Sequence, residues 1–161
     1  SELTGFGMVA CIYLAKGSGS VTINSSNPHD QPDLNYNFLS DEFDRVRLRE
    51  AARMCVDLGN SEFFNNVLEE VINPEIKILD NNDLLDEWLM KSARTSHHVS
   101  GTCKMGPVED KTSVVDQVGK IHGLTNIRIA DASIMPDCIR ANTNATTIVI
   151  GERIAESIIQ S

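Results

Sequence analysis

Aromatic residues are scarce in this 161-residue chain: one Trp, two Tyr and five Phe. A cage of stacked rings, the device that holds a quaternary ammonium group, has little to be built from within these residues. Basic charge is short as well. Fourteen Lys and Arg stand against 23 Asp and Glu, a net charge of −9. No run of Lys and Arg interleaved with aromatics occurs, so nothing offers nucleic-acid phosphates the counterion release that drives their binding. No apolar run reaches membrane-spanning length; the longest, near Met8 to Ala15, stops at Lys16. The first residues carry no signal-peptide pattern. Four cysteines (Cys11, Cys55, Cys103 and Cys138) are spread without a Cys-x-x-Cys pair. Two bridges can be drawn among them, but a chain with an ordinary core needs no staples, and reduced thiols in a cytoplasmic setting are the expectation. A Gly-x-Gly-x-x-Gly turn is missing too. Gly17-Ser18-Gly19 has neither the third glycine nor a helix after it, so the pyrophosphate grip of a dinucleotide-binding fold is not encoded here.

What is there is globular. Apolar residues make up 41% and charged residues 23%, enough for one ordinary domain or part of a larger one. The opening at Ser1, without Met and close to a strand-like segment, leads to the expectation of a piece of a longer protein. Residues Gly7–Ala15 and Gly19–Ile23 are rich in strand formers and read as a hairpin turning at Lys16-Gly17-Ser18. A loop dense in turn formers follows, with Pro28 and Pro32. Ser40 then reads as an N-cap with Asp41 and Glu42 in the first turn, and Leu48, Ala51, Ala52, Cys55 and Leu58 recur at helical spacing up to Gly59. Further helices are predicted over 61–72 and 83–92, a strand over Ile127–Ala130 and a last helix over Thr146–Ile159. The first turns of that last helix, ATTIVIG, are apolar on nearly every side and call for burial or a covering partner.

Two segments concentrate polar chemistry. Ser96–Gly106 reads SHHVSGTCKMG. Adjacent histidines on a Gly/Ser loop are poor packing material, and a neutral imidazole is the natural general base near neutral pH. Such a pair can equally be solvated or capping. A metal set of His97, His98, Cys103 and His122 lacks zinc-like spacing and is set aside. The second segment, Asn126–Thr147, runs from a strand through Asp131 and Pro136 to Asn142 and Asn144 just before a helix. That order aims backbone N–H groups at an electron-rich ligand; read by spacing alone, the two asparagines are ordinary N-caps.

The run HHVSGTCKMG, then VVDQVGKIHGLTNIRIADASIMP, then ANTNATTIVIGERIAESI closely resembles the C-terminal signature of the glucose–methanol–choline (GMC) oxidoreductases. The choline- and alcohol-dehydrogenase branch is the best match. Upstream, YLAKGSGSVTINSSNPHDQPDLNYNFLSDEFDRVRLREAARM carries the family's strand, Gly-Ser-Val strand, Pro-rich turn and entry to a helix. The likeness runs from about Tyr13 to Ile159. One departure is Ala145-Thr146-Thr147, where relatives often have Ala-Pro-Thr.

The resemblance implies an FAD-dependent enzyme that oxidises the CH–OH group of a small-molecule alcohol by hydride transfer to the flavin. His98, five positions before Cys103, takes the place of the catalytic base, and Asn142 that of its partner at the substrate oxygen. Asp131 and Ala132 match the step that contacts FAD, and Thr143 and Asn144 fall where backbone groups approach the flavin ring. The implied fold is α+β: an antiparallel sheet covered by the helices near 41–58, 61–72 and 83–92, plus a C-terminal strand and helix belonging to the FAD domain. Residues 1–106 would form the substrate-binding portion, ending in the histidine loop, and 107–161 the return segment completing the FAD-binding domain. The implied partner is the N-terminal FAD-binding portion of the same protein; alone, the piece would expose apolar helix faces and favour self-association. A hydroxynitrile-lyase relative and an isolated non-catalytic domain remain open alternatives, as do dehydrogenase against oxidase and the identity of the alcohol.

Overall fold

The structure, a computed structural model, describes residues 5–160. The chain divides into two compact units: residues up to Gly19 with Tyr36–Arg94, and Ser20–Asn35 with the residues from Thr95 onward. Together they make an α+β protein with one two-stranded antiparallel sheet among the described residues.

In the first unit, helix α1 (Glu42–Gly59) starts from Asp41, whose carboxylate accepts the Phe43 amide at 2.8 Å. The cap is one residue beyond the expected Ser40, and Glu42 and Asp44 sit in the first turn, where the helix dipole favours negative charge. Helix α2 (Asn82–Ser92) is capped by Asn81, which accepts the amides of Asp83 and Leu84 at 3.0 and 3.1 Å. Both helices turn apolar stripes inward, and Ala52, Leu85 and Leu89 close over Leu39 with Leu48 and Trp88 packed beside them. A charged layer joins the two helices. The largely buried Arg49 pairs with Glu42 and lies 3.4 Å from Asp86 of α2, and Arg53 donates to Leu79 O and Asn82 Oδ1 at 3.0 and 2.7 Å.

The predicted hairpin between 7–15 and 19–23 does not form. Side chains of α1 take up the backbone groups that a strand partner would have used. The buried Asp44 carboxylate accepts the amides of Lys16 (2.9 and 3.0 Å) and Gly17 (2.8 Å), and Arg47 donates to the carbonyls of Tyr13 and Leu14. The helix predicted over 61–72 shrinks to a 3₁₀ turn at Glu62–Phe64. Of its apolar stripe, Phe64, Leu68 and Val71 are only half-buried and Val67 is 69% exposed; with so little of the stripe covered, a short periodic stretch does not sustain a helix.

In the second unit, β1 (Ser20–Thr22) pairs antiparallel with β2 (Asp33–Asn35) in the register Ser20↔Asn35, Val21↔Leu34, Thr22↔Asp33. The Gly-Ser-Val strand thus exists, but its partner follows the Pro-rich loop, and all residues of both strands are exposed. Helix α3 (Asn144–Ile159) opens two residues before the expected Thr146. Its Ile154 packs on Val115 and Ile134, with Met105, Ile129 and Ile150 around them. The strand predicted over Ile127–Ala130 is reduced to one bridge, Lys120↔Arg128, plus the Ile129 amide on Gly119 O at 2.9 Å. Left-handed residues at Gly119, Gly123 and Asn126 (φ 75°, 78° and 63°) turn the chain too tightly for a longer ladder. Arg128 then spans from Val118 O (2.9 Å) to Ser157 Oγ of α3 (3.1 Å). The loop after Gly106 is tied by Asp110. Hydrogen bonds from the hydroxyl and amide of Thr112, and then from Lys104, hold its carboxyl down at about 2. Cys11, Cys55, Cys103 and Cys138 are free thiols, and no helix among the described residues is long and apolar enough to cross a membrane.

Three outcomes are expected. Asp44→Ala leaves the Lys16 and Gly17 amides unpaired and lowers unfolding stability by about 1–3 kcal/mol; an unchanged denaturation midpoint would show that the segment is held otherwise. Gly123→Ala meets open space and costs only left-handed strain, roughly 1–2 kcal/mol. Gly119→Ala should cost clearly more, because its Cβ would stand 2.4 Å from Ile129 O and 2.8 Å from Ile154 Cδ1; equal midpoints for the two variants would refute the close approach. The depressed Asp110 carboxyl gives stability that is fully present above its ordinary value of 3.8 and is lost as pH falls toward 2. NMR titration of that carboxyl, repeated with Thr112→Val, should show the midpoint rising in the variant.

Candidate active site

The segment GTCKM, which turns at Thr102 and Cys103, lies beside the 3₁₀ turn Ala132–Ile134. The amides of Gly101, Cys103 and Met105 donate to the carbonyls of Ala132, Ser133 and Ile134 at 3.4, 2.9 and 2.8 Å. Alternate residues of the first strip thus meet successive residues of the second. Gly101 adopts φ 79°, and a Cβ there would stand 3.3 Å from Met135 O, so glycine suits the first rung. The turn itself starts from Asp131, whose Oδ1 accepts both the amide and the hydroxyl of Ser133 at 2.8 and 2.5 Å.

This pairing carries the histidine loop to the start of α3. His98, half-buried, has Nε2 at 3.1 Å from Asn142 Oδ1 and Nδ1 at 3.1 Å from Thr143 Oγ1. Its carbonyl accepts the Cys138 thiol at 3.6 Å. His97 points elsewhere: it is exposed, adopts φ 64°, and its amide bonds Thr95 Oγ1 at 3.0 Å. Of the residues singled out in the sequence, the structure brings His98, Asn142 and Thr143 into one hydrogen-bonded group. Asn144 is the exposed first residue of α3, while Asp131 turns to Ser133 and Ala132 supplies a ladder carbonyl. Neither asparagine caps the helix. Thr143 occupies the cap position, and its side chain makes no cap bond, so the first-turn amides of α3 have no side-chain acceptor.

Two contacts had no signal in the sequence. Cys138 and the Thr143 hydroxyl are 40 and 45 residues from His98, and their roles depend on the fold. The set His97, His98, Cys103 and His122 does not converge: His122 Nε2 lies 3.0 Å from Gly106 O, and among the described residues no three His, Cys, Asp or Glu side chains gather as a metal site. An imidazole with an oxygen atom within hydrogen-bond reach of each nitrogen has the geometry for proton transfer.

Comparison with known proteins places this arrangement. The family model described as GMC oxidoreductase, a C-terminal domain, matches residues 15–151. The oxygen-dependent choline dehydrogenase of Cronobacter sakazakii is 41% identical over 140 residues, 87% of this chain and 24% of that protein. Among solved structures, pyridoxine 4-oxidase from Mesorbium loti aligns with a TM-score of 0.79 at 27% identity, covering 89% of this chain and 27% of the other. The R554A variant of Aspergillus oryzae RIB40 formate oxidase, studied for FAD modification, aligns with a TM-score of 0.77 at 29% identity, covering 88% and 24%. The chain therefore spans about a quarter of the length of the relatives it matches. With the family model matched across residues 15–151, the chain belongs to the GMC oxidoreductase family.

Proposed function

We propose that this chain is the C-terminal part of an FAD-dependent oxidoreductase acting on the CH–OH group of a small alcohol, with His98 as general base and Asn142 as its partner. The observation that carries the reading is the pairing of His98 Nε2 with the Asn142 side chain at 3.1 Å, at the mouth of α3. In this reading residues 1–106 contribute the substrate-binding portion and 107–161 return to the FAD-binding domain, which the remaining three quarters of a longer protein would supply.

His98 would accept the hydroxyl proton at Nε2, the nitrogen on the exposed side of the ring. Asn142, through its amide N–H, would hold the substrate oxygen as negative charge grows on it, so that base and hydrogen-bond donor act on one atom. The residues present fit a flavin. The first turn of α3 has no side-chain cap, which leaves backbone N–H groups for an electron-rich ring edge, with Thr143 and Asn144 at that point. Ile148 and Val149, each 57% exposed, offer apolar surface just beyond. Asp131 and Ala132 stand at the turn where the family's FAD contact falls. When bound, FAD supplies the two-electron acceptor for the carbon-bound hydrogen; the chain's own task is position and proton handling.

In the full-length protein, His98→Ala should lower kcat at least roughly 100-fold while FAD content, read from absorbance, stays at the wild-type level. Near-normal turnover in that variant refutes the assignment. Anaerobic addition of choline or of a small primary alcohol should bleach the flavin of the wild-type protein if either is oxidised. A flavin that stays oxidised while a cyanohydrin is cleaved would instead mark a lyase.

A further inference from the structure

Resting on that reading of His98, we propose that Thr143 is a positioning residue whose hydroxyl fixes which ring nitrogen of the base carries a proton. A threonine at a helix N-cap ordinarily turns its oxygen onto an amide of the first turn. Thr143 does not. Its backbone is helical (φ −75°, ψ −15°), it makes no side-chain cap bond, and its Oγ1 lies 3.1 Å from His98 Nδ1. The residue is only 8% exposed, whereas Asn142 beside it is exposed. Its own carbonyl accepts the Thr147 amide and the Thr147 hydroxyl at 2.9 and 2.8 Å, which seats Thr143 firmly in the first turn of α3. The imidazole is thus anchored from the buried side by a hydroxyl on a rigid helix.

A neutral imidazole has one N–H and one lone pair; a base acting at Nε2 needs its N–H on Nδ1, where the Thr143 hydroxyl is placed to accept it. With Nδ1–H donating to Thr143 Oγ1, the lone pair sits on Nε2, facing the exposed side. Proton uptake is then a single transfer: the substrate O–H bond breaks, the Nε2–H bond forms, and Nδ1 keeps its proton. In the resulting imidazolium both nitrogens donate, Nδ1 to Thr143 Oγ1 and Nε2 to Asn142 Oδ1. Both contacts, at 3.1 Å, have room for these donors, and their directions follow the state of the ring. While the ring is neutral, the exposed Asn142 side chain would turn its Oδ1 away from the Nε2 lone pair and its N–H₂ toward the substrate oxygen, and Thr143 accepts in both states. The helix cap is forgone, and the hydroxyl serves the base instead.

The test uses the full-length holoprotein and the alcohol that the wild type turns over fastest. Thr143→Val keeps the shape and removes the hydroxyl; it should lower kcat roughly 10- to 100-fold with KM and FAD content nearly unchanged. Thr143→Ser should restore most of the lost rate, and Thr143→Ala provides a second hydroxyl-free variant should the valine disturb packing. With ¹⁵N-labelled histidine, NMR of the wild type and the serine variant should show His98 protonated at Nδ1 in its neutral form, and hydroxyl-free variants should show mixed tautomers. Wild-type kcat in both hydroxyl-free variants, a serine variant as impaired as valine, or a neutral wild-type ring protonated at Nε2 would each overturn the proposal. His98→Ala separates the two ideas. Its normal turnover defeats both, whereas its failure beside normal hydroxyl-free variants defeats only this one.

Discussion

The short backbone ladder between Gly101–Met105 and Ala132–Ile134 is what the second unit depends on. His98 stands three residues before its first rung, and the chain leaving its far side reaches Asn142 and Thr143 before entering α3. The core beneath gives the ladder its footing. Met105 and Ile134, from the two strips, pack with Val115 and with Ile150 and Ile154 of α3. Burial of these side chains and pairing of the amides above them are one cooperative arrangement, since each rung placed without the core would exchange a water bond for a protein bond at little gain. His98, Asn142 and Thr143 themselves contribute little to it. They are carried by a frame whose stability lies elsewhere, which lets His98 stay half-exposed.

The first unit is built on a different balance. Its core between α1 and α2 is small, and buried charge is arranged around it: Asp44 satisfied by backbone amides, Arg49 set against Glu42 and Asp86. Buried charges cost desolvation unless their hydrogen bonds are filled, so these contacts add little net stability, and of them Arg49 with Asp86 is the one that links α1 to α2.

Helices α1 and α2 were legible because apolar period and acidic first turn agree, whereas α3, with no acidic first turn, no basic last turn and no side-chain cap, was legible from its apolar period alone. For α1, α2 and α3 the bounds expected from sequence fall within a residue or two of those found. The strands were not, and the reasons are specific. Gly7–Ala15 has the composition of a strand, but its Tyr13 and Leu14 carbonyls answer to Arg47 and the amides of Lys16 and Gly17 just after it to Asp44, residues some thirty positions away. Ile127–Ala130 alternates correctly, yet left-handed turns at Gly119 and Gly123 shorten its pairing to one bridge. Around the histidine loop the family signature singled out His98 and Asn142, and the fold sets them side by side. The same signature assigned Thr143 to backbone contacts; nothing in its letters says that a threonine at a helix start has its hydroxyl turned away from the helix and onto a ring.

The division of the chain has a consequence for how such a protein can be rearranged. The hairpin Ser20–Asn35 groups with the residues after Thr95, and the helical unit lies between them in sequence, so the polypeptide changes unit at three separate junctions. A single cut at any of them separates residues that belong to one folded body. Neither unit is a contiguous module that recombination can move by one crossover, and the helices of the first unit are inherited together with the histidine loop of the second. Substitutions in the two units are therefore inherited together, which ties the history of the packing helices to that of the histidine loop.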